Sequence, residues 1–253
     1  YGVYEISDAK YYFDMNSRMA LSEVCTDDGV GCYIADKNGQ LTQVTKDGWF
    51  LFDGDYYYVE NGQLKNSGTY KINGVWYGFD YDGSMFVNRD FNCHWQSKYC
   101  RAKADGSLYC SEWYQDDEKN WYYYKEDASM ARGTTKIGET TYYFEDGVLK
   151  ANGAVEVGTS YRLADENGSW IQTPGWVCVS DSWYYVLNDG TLYTGILEEN
   201  GATYYLSPKM AKNVGLLEVD GVAYQIAENG LATKAADGFY PGDVLNHLYY
   251  VSG

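Results

Sequence analysis

The chain has 253 residues, with 29 Tyr and 8 Trp but only 3 Pro, and carries a formal charge of −17. A polyanion of this strength repels phosphate backbones and anionic lipid, so nucleic acid and membrane surfaces are excluded as partners while neutral or cationic ligands stay open. No apolar run reaches the roughly 18 residues that a membrane span needs. The sequence opens YGVYEISDAK, without a basic and then apolar leader, as expected of a processed chain or of a segment of a longer protein.

In chain order, one unit of about 21 residues recurs: aromatic cluster, Gly turn, apolar residue. The clearest copies are GDYYYVENGQL (54–64), GVWYGFDYDGSM (74–85), GETTYYFEDGVL (138–149) and DSWYYVLNDGTL (181–192). The turn can be followed through Ser17, Gly39, Gly62, Gly83, Gly106, Ala128, Gly147, Gly168, Gly190, Lys209 and Gly230. Two residues beyond it comes an apolar side chain, such as Met19, Leu64, Met85, Leu149 or Leu192. Asn-Gly and Asp-Gly tolerate positive φ and favour two-residue hairpins, so each unit reads as one short antiparallel hairpin.

With Asp189-Gly190 as such a loop, Leu187 faces Leu192, and Trp183, Tyr185 and Thr194 share their face. Tyr184, Val186 and Tyr193 point the other way. The same count on 138–149 groups Tyr142, Phe144 and Leu149, with Tyr143 opposite. Both faces are apolar or aromatic, so a lone hairpin is unstable and must stack on neighbours. The expected fold is all-β: a solenoid-like array of about ten short antiparallel hairpins in one repeat-built domain, 1–253. Repeats run over roughly 11–231, an irregular insertion occupies 86–120, and 232–253 form a C-terminal cap. The insertion holds three of the six Cys.

Cys25 and Cys32 flank Asp28-Gly29, and Cys100 and Cys110 flank Asp105, so both pairs are candidates for cross-strand disulfides, with free thiols the alternative. Two His and no CxxC argue against zinc. No cofactor is implied. The acidic runs Asp27-Asp28 and Asp116-Asp117-Glu118 offer oxygen ligands to calcium but lack the spacing of an EF-hand loop.

The segment GWVCVSDSWYYVLNDGTLYTG (175–195) resembles the cell-wall-binding repeats of Gram-positive surface proteins, a superfamily of choline-binding and glucan-binding modules. KDGWFLFDGDYYYVENGQL (46–64) carries most of the same motif. The resemblance implies a hairpin solenoid with ligands between successive hairpins, and an extracellular, secreted or cell-surface location. A choline-type cage carried over to this chain would use Trp176, Trp183 and Tyr204, and less well Trp49, Tyr56 and Trp76. Most other units lack the Gly-Trp pair, which disfavours a row of choline sites.

A pyranose ring lying on an aromatic face tolerates that loss better. The groove of Trp176, Trp183 and Tyr204 is therefore the first glycan candidate, with Trp49, Tyr57 and Trp76 second. Trp95, Trp113, Tyr114 and Trp121, in and just beyond the insertion, form a third. Against this stands plain packing between hairpins, which explains most of the aromatics. Trp170 suits the core, and Trp183 is open to both readings. No catalytic motif is present, and the carboxylates sit mainly at recurring turns. The reading is a non-catalytic module for an α-glucan, starch-like or dextran-like, with choline on cell-wall teichoic acid or a structural, receptor-binding surface repeat as alternatives.

Overall fold

A computed structural model describes residues 1–27, 31–212, 214–241 and 248–251. Among the described residues the strands form twelve separate sheets of two or three strands, each built on one antiparallel hairpin of consecutive strands. Among the described residues the only helical element is a 3-10 turn, His94–Gln96. The chain divides into two compact units, Tyr1–Ala131 and Arg132–Gly253. The all-β hairpin class is the one expected.

Turn placement differs from the expectation. Strands Gly175–Val179 and Ser182–Val186 are joined at Ser180-Asp181, where φ is +45° and +59°. Positive φ at both central residues matches the right-handed twist of the flanking strands. Asn200-Gly201 and Asp220-Gly221 make the same turn in the next two hairpins. Asp189-Gly190 instead lies in a wider loop: Leu187 N–H bonds Thr191 O and Gly190 N–H bonds Leu187 O. This is the three-residue loop that ends on a left-handed residue.

Leu192 consequently bridges Val186, not Leu187. Leu192 and Tyr193 therefore exchange faces relative to the expectation, Leu192 joining Tyr184 and Val186, because strand alternation has period two. Tyr184, Val186 and Leu192 are buried with Leu163, while Trp183 is 38% exposed. Trp183 is therefore not core. Where the loop is truly two residues long, at Asp146-Gly147, the expected pairing of Phe144 with Leu149 holds and Phe144 is buried.

Neighbouring hairpins within each unit are stitched at a fixed point. Met85 N–H bonds Tyr56 O, Leu108 N–H bonds Trp76 O, and Met130 N–H bonds Tyr99 O. In the second unit Leu192 N–H bonds Tyr161 O and Met210 N–H bonds Trp183 O. The residue after the wide turn thus lends its amide to the preceding hairpin, satisfying a carbonyl that an edge strand would leave open. The wide-turn glycine of one hairpin also seats on the post-turn side chain of the one before. A Cβ on Gly83 would meet Leu64 at 2.5 Å, and one on Gly106 would meet Met85 at 2.2 Å. Gly and apolar residue recur together because they touch across neighbours.

The core is a series of small clusters between hairpins. Cys32, Tyr57, Val59 and Leu64 form one, and Ile72, Phe79 and Met85 another. Side chains such as Phe79, Leu163 and Val186 are almost wholly enclosed, and each contributes about 1.5–3 kcal/mol.

The stretch 86–120 does not interrupt the pattern. Arg89–Cys93 and Lys98–Ala102 form a complete hairpin, and Glu112–Gln115 opens the next. All six cysteines are free thiols. Cys25 pairs with Tyr33 and Cys32 with Thr26, so the two thiols lie in separate clusters on opposite faces. Cys100 sits opposite Phe91, and the Cys110 Sγ lies 3.1 Å from Glu126 O. The expected disulfides are not formed. The Asp28-Gly29 turn lies outside the described residues, as do 242–247 and 252–253 of the expected cap.

Candidate functional site

Each hairpin has a core face and an outer face. In the 175–186 hairpin, Val177, Val179, Tyr184 and Val186 enter the core. Trp176 pairs with Tyr185 and Cys178 with Trp183, which places all four on the outer face. The following hairpin brings Tyr204 and Met210 onto that face. Trp176, Trp183, Tyr204 and Met210, with Lys212 and Asn229, line a cleft of about 380 Å³.

The rings of this cleft are set nearly at right angles. Trp176 lies 6.5 Å from Trp183 at 77°, 5.4 Å from Tyr185 at 84° and 5.0 Å from Tyr204 at 70°. Edge-to-face packing leaves part of each ring face uncovered. Glu199 fixes two rings at once: Trp176 Nε1–H donates to Oε2, and the Tyr185 hydroxyl donates to Oε1 at 3.0 Å. That hydrogen bond, ahead of burial, raises the Tyr185 phenol above its ordinary range.

A second cleft of about 380 Å³, lined by Trp49, Tyr56, Tyr77, Met85, Val87, Ala104 and Asp105, lies in the first unit. Strand register makes it the equivalent of the first. Trp49 pairs with Tyr58 as Trp176 pairs with Tyr185, and Tyr56 stands where Trp183 stands. Tyr77 and Met85 take the places of Tyr204 and Met210, and Trp49 again makes an edge contact with the incoming Tyr, at 4.8 Å and 68°. The two clefts differ at their polar positions. Val87 and Asp105 stand in the first unit where Lys212 and Asn229 stand in the second.

Trp176, Trp183 and Tyr204, the expected first groove, thus line one cleft. In the second, Trp49 is correctly placed but two neighbours are corrected. Tyr57 is buried in the core, stacked on Phe50 at 5.3 Å, and burial, ahead of nearby carboxylates, pushes its phenol up to about 12. Its neighbour Tyr56 lines the cleft, because Tyr57 shares a face with Val59. Trp76 is engaged elsewhere: Nε1–H donates to Glu126 O at 3.0 Å, and Lys98 and Lys71 sit over its ring at 4.9 and 6.0 Å. Tyr77, one residue on, takes the cleft position.

The third expected group does not come together. Trp95 is 88% exposed on the 3-10 turn. Trp113 and Trp121 share one face of their hairpin, 6.4 Å apart, while Tyr114 is on the other, under the Arg101 guanidinium at 4.1 Å. Trp170 is partly buried beneath Arg162 at 4.8 Å. Met85, Met210, Tyr77, Glu199 and Lys212 were missed. A signal for them existed, since the dipeptides Asn73-Gly74 and Asn200-Gly201 mark the tight turns from which the register is counted.

Asp116 is held by Asn120 and Tyr122. Burial raises its carboxyl, but these hydrogen bonds prevail and the net shift is downward. No group of three or more His, Cys, Asp or Glu is arranged to hold a metal among the described residues. No helix among them is long and apolar enough to cross a membrane.

Residues 175–192, the strands that build the second-unit cleft, match the family model described as "Putative cell wall binding repeat". In that stretch the chain is similar to the cell-wall-binding repeats. The chain is similar to Glucosyltransferase-S of Streptococcus mutans, 26% identical over 211 residues, covering 81% of this chain and 14% of the relative. The chain thus spans about a seventh of that protein's length. Among solved structures, choline binding protein F from Streptococcus pneumoniae is similar with a TM-score of 0.58 and 20% identity, over 91% of each chain. CbpJ from the same species gives 0.55 and 22%, over 91% of this chain and 92% of that one. These structures share the fold of the repeats.

Proposed function

We propose that this chain is a non-catalytic carbohydrate-binding module of a secreted or cell-surface protein, and that it takes an α-glucan, starch-like or dextran-like. The observation that carries the reading is the repetition of one constellation, Trp/aromatic/Tyr/Met, in two clefts that register makes equivalent. A pyranose ring presents C–H groups to an aromatic face and hydroxyls to its rim. The second-unit cleft offers the faces of Trp176, Trp183 and Tyr204, with Asn229 and Lys212 as rim donors. A neutral glucan is indifferent to the formal charge of −17. Similarity to a streptococcal glucosyltransferase supports the same ligand class. The stitched hairpins within each unit favour a solenoid arrangement inside that unit.

Affinity electrophoresis in gels of amylopectin, dextran, pullulan and a β-glucan tests this. Retardation is expected in one or more α-glucan gels, and Trp176→Ala with Trp183→Ala should weaken it about tenfold or more. Unretarded migration in every gel would reject the glucan reading.

Asp105 favours a second reading for the first-unit cleft. A carboxylate beside Trp49, Tyr56 and Tyr77 suits a quaternary ammonium, for which each desolvated cation–π contact contributes about 2 kcal/mol. Lys212 opposes a cation in the second-unit cleft. Choline titration followed by Trp fluorescence separates the readings: saturable quenching lost in Trp49→Ala supports choline there.

A further inference from the structure

We propose that the cleft between the 89–102 and 112–124 hairpins is a third saccharide site, a polar one. There a single neutral hexose ring lies on Tyr99 and its hydroxyls are held by Asp90, Arg101 and Asp116. The proposal rests on the glycan reading of the two aromatic clefts.

Register identifies this cleft as a member of the same series. Asp90 pairs with Arg101 where Trp176 pairs with Tyr185 and Trp49 with Tyr58. Tyr99 stands at the position of Trp183 and Tyr56, and Tyr122 at that of Tyr204 and Tyr77. Met130 closes the set as Met210 and Met85 do, its N–H bonding Tyr99 O at 2.7 Å. All five residues line one cavity of about 170 Å³, smaller than either aromatic cleft. The series has therefore kept its ring at Tyr99 and exchanged two other ring positions for an ion pair.

That exchange changes which ligand the cleft suits. Arg101 Nη1 donates to Asp90 Oδ2 at 2.5 Å, and its guanidinium lies 4.1 Å over the Tyr114 ring, so the fork is held flat in the wall. A guanidinium has five N–H donors, and among the described residues only Nη1 has a hydrogen-bond partner. Across the cleft, Asp116 Oδ2 accepts from the Tyr122 hydroxyl at 3.0 Å and from Asn120 Nδ2 at 3.1 Å, which fixes a second carboxylate. The Tyr124 hydroxyl reaches Asp90 Oδ1 at 3.5 Å.

A fixed guanidinium repels a quaternary ammonium, and the box of three rings that would hold one has lost its tryptophan, replaced by Asp90. Two carboxylates against one guanidinium repel an anion. What remains is a neutral polyol, whose hydroxyls both accept from Arg101 and donate to Asp90 and Asp116, while Tyr99, 45% exposed, supplies the face. Charge-assisted hydrogen bonds to an ionised partner are the stronger kind, so a small site can hold a single ring.

Residue-resolved NMR of the full chain tests this, with maltotriose and isomaltotriose as probes and tetramethylammonium chloride as control. Arg side-chain Nε–Hε and Trp indole signals report the polar and aromatic clefts separately. Saturable movement of the Arg101 signal with either sugar, persisting in Trp49→Ala/Trp176→Ala and weakened about tenfold in Asp90→Asn or Tyr99→Ala, supports the third site. Movement of Trp176 or Trp49 with a still Arg101 overturns the third site and leaves the glycan reading intact. Movement of Arg101 alone supports the third site while removing the aromatic-cleft reading. Stillness of all three signals, or an Arg101 response to tetramethylammonium only, overturns the proposal.

Discussion

Burial governs the chemistry of three thiols that the symmetry of the sequence suggests as disulfide partners. Cys25 is pushed up to about 12, by burial first and by the Glu23 charge second, and Cys32 to about 11 by burial. Cys100 likewise rises to about 12 through burial. Cys178, on the exposed outer face of its hairpin, has no such cover. Native alkylation with iodoacetamide at pH 8 should therefore label Cys178 and spare Cys25, Cys32 and Cys100, as read by peptide mass spectrometry. Labelling of Cys25 as fast as Cys178 would contradict the burial. The sign of the pH effect follows. A thiol whose folded pKa exceeds the ordinary 9.0 contributes stability that is intact below that value. That contribution is lost as pH climbs towards 11–12, because the unfolded chain ionises first. Thermal midpoints under reducing conditions should hold to about pH 8.5 and fall beyond it.

The hairpin explains why Gly and the post-turn apolar residue repeat as a pair. Gly106 has φ +82°, and a Cβ there would sit 2.2 Å from Met85 Cε and 2.5 Å from its sulfur. Met85 also lines the first-unit cleft. Gly106→Ala should then cost about 1–3 kcal/mol, from strain and overpacking together. It should also disturb ligand binding in the first-unit cleft while leaving Trp176 and Trp183 unaffected. Urea denaturation and Trp49-specific fluorescence would check the two effects; an unchanged midpoint would mean that Met85 simply moves aside. Core truncation acts differently. Leu163, fully buried among Tyr184, Val186 and Leu192, should cost about 2–5 kcal/mol as Leu163→Ala, through the cavity left behind.

Across the whole molecule the dominant fact is 36 acidic against 19 basic residues. The described ion pairs, such as Lys65–Glu60 and Lys150–Glu145, are partly exposed and relieve little of that imbalance. Self-repulsion of this kind is screened within about 10 Å at 0.1 M salt, so the thermal midpoint should rise as NaCl increases from low ionic strength. The strand content, the spacing of turns, the Gly–apolar pairing and the family likeness were legible in the sequence, because turn chemistry and aromatic clustering are local and repeat. The face taken by each ring was not. Tyr56 and Tyr57 are adjacent, as are Trp76 and Tyr77, and period-two alternation turns a one-residue slip of register into a full exchange of faces. Two turns per unit offered two registers, and only pairing in three dimensions chose between them. Whether an outer-face ring stays open is likewise settled by the next hairpin: Tyr204 and Met210 leave a cleft over Trp176, whereas Lys98 covers Trp76.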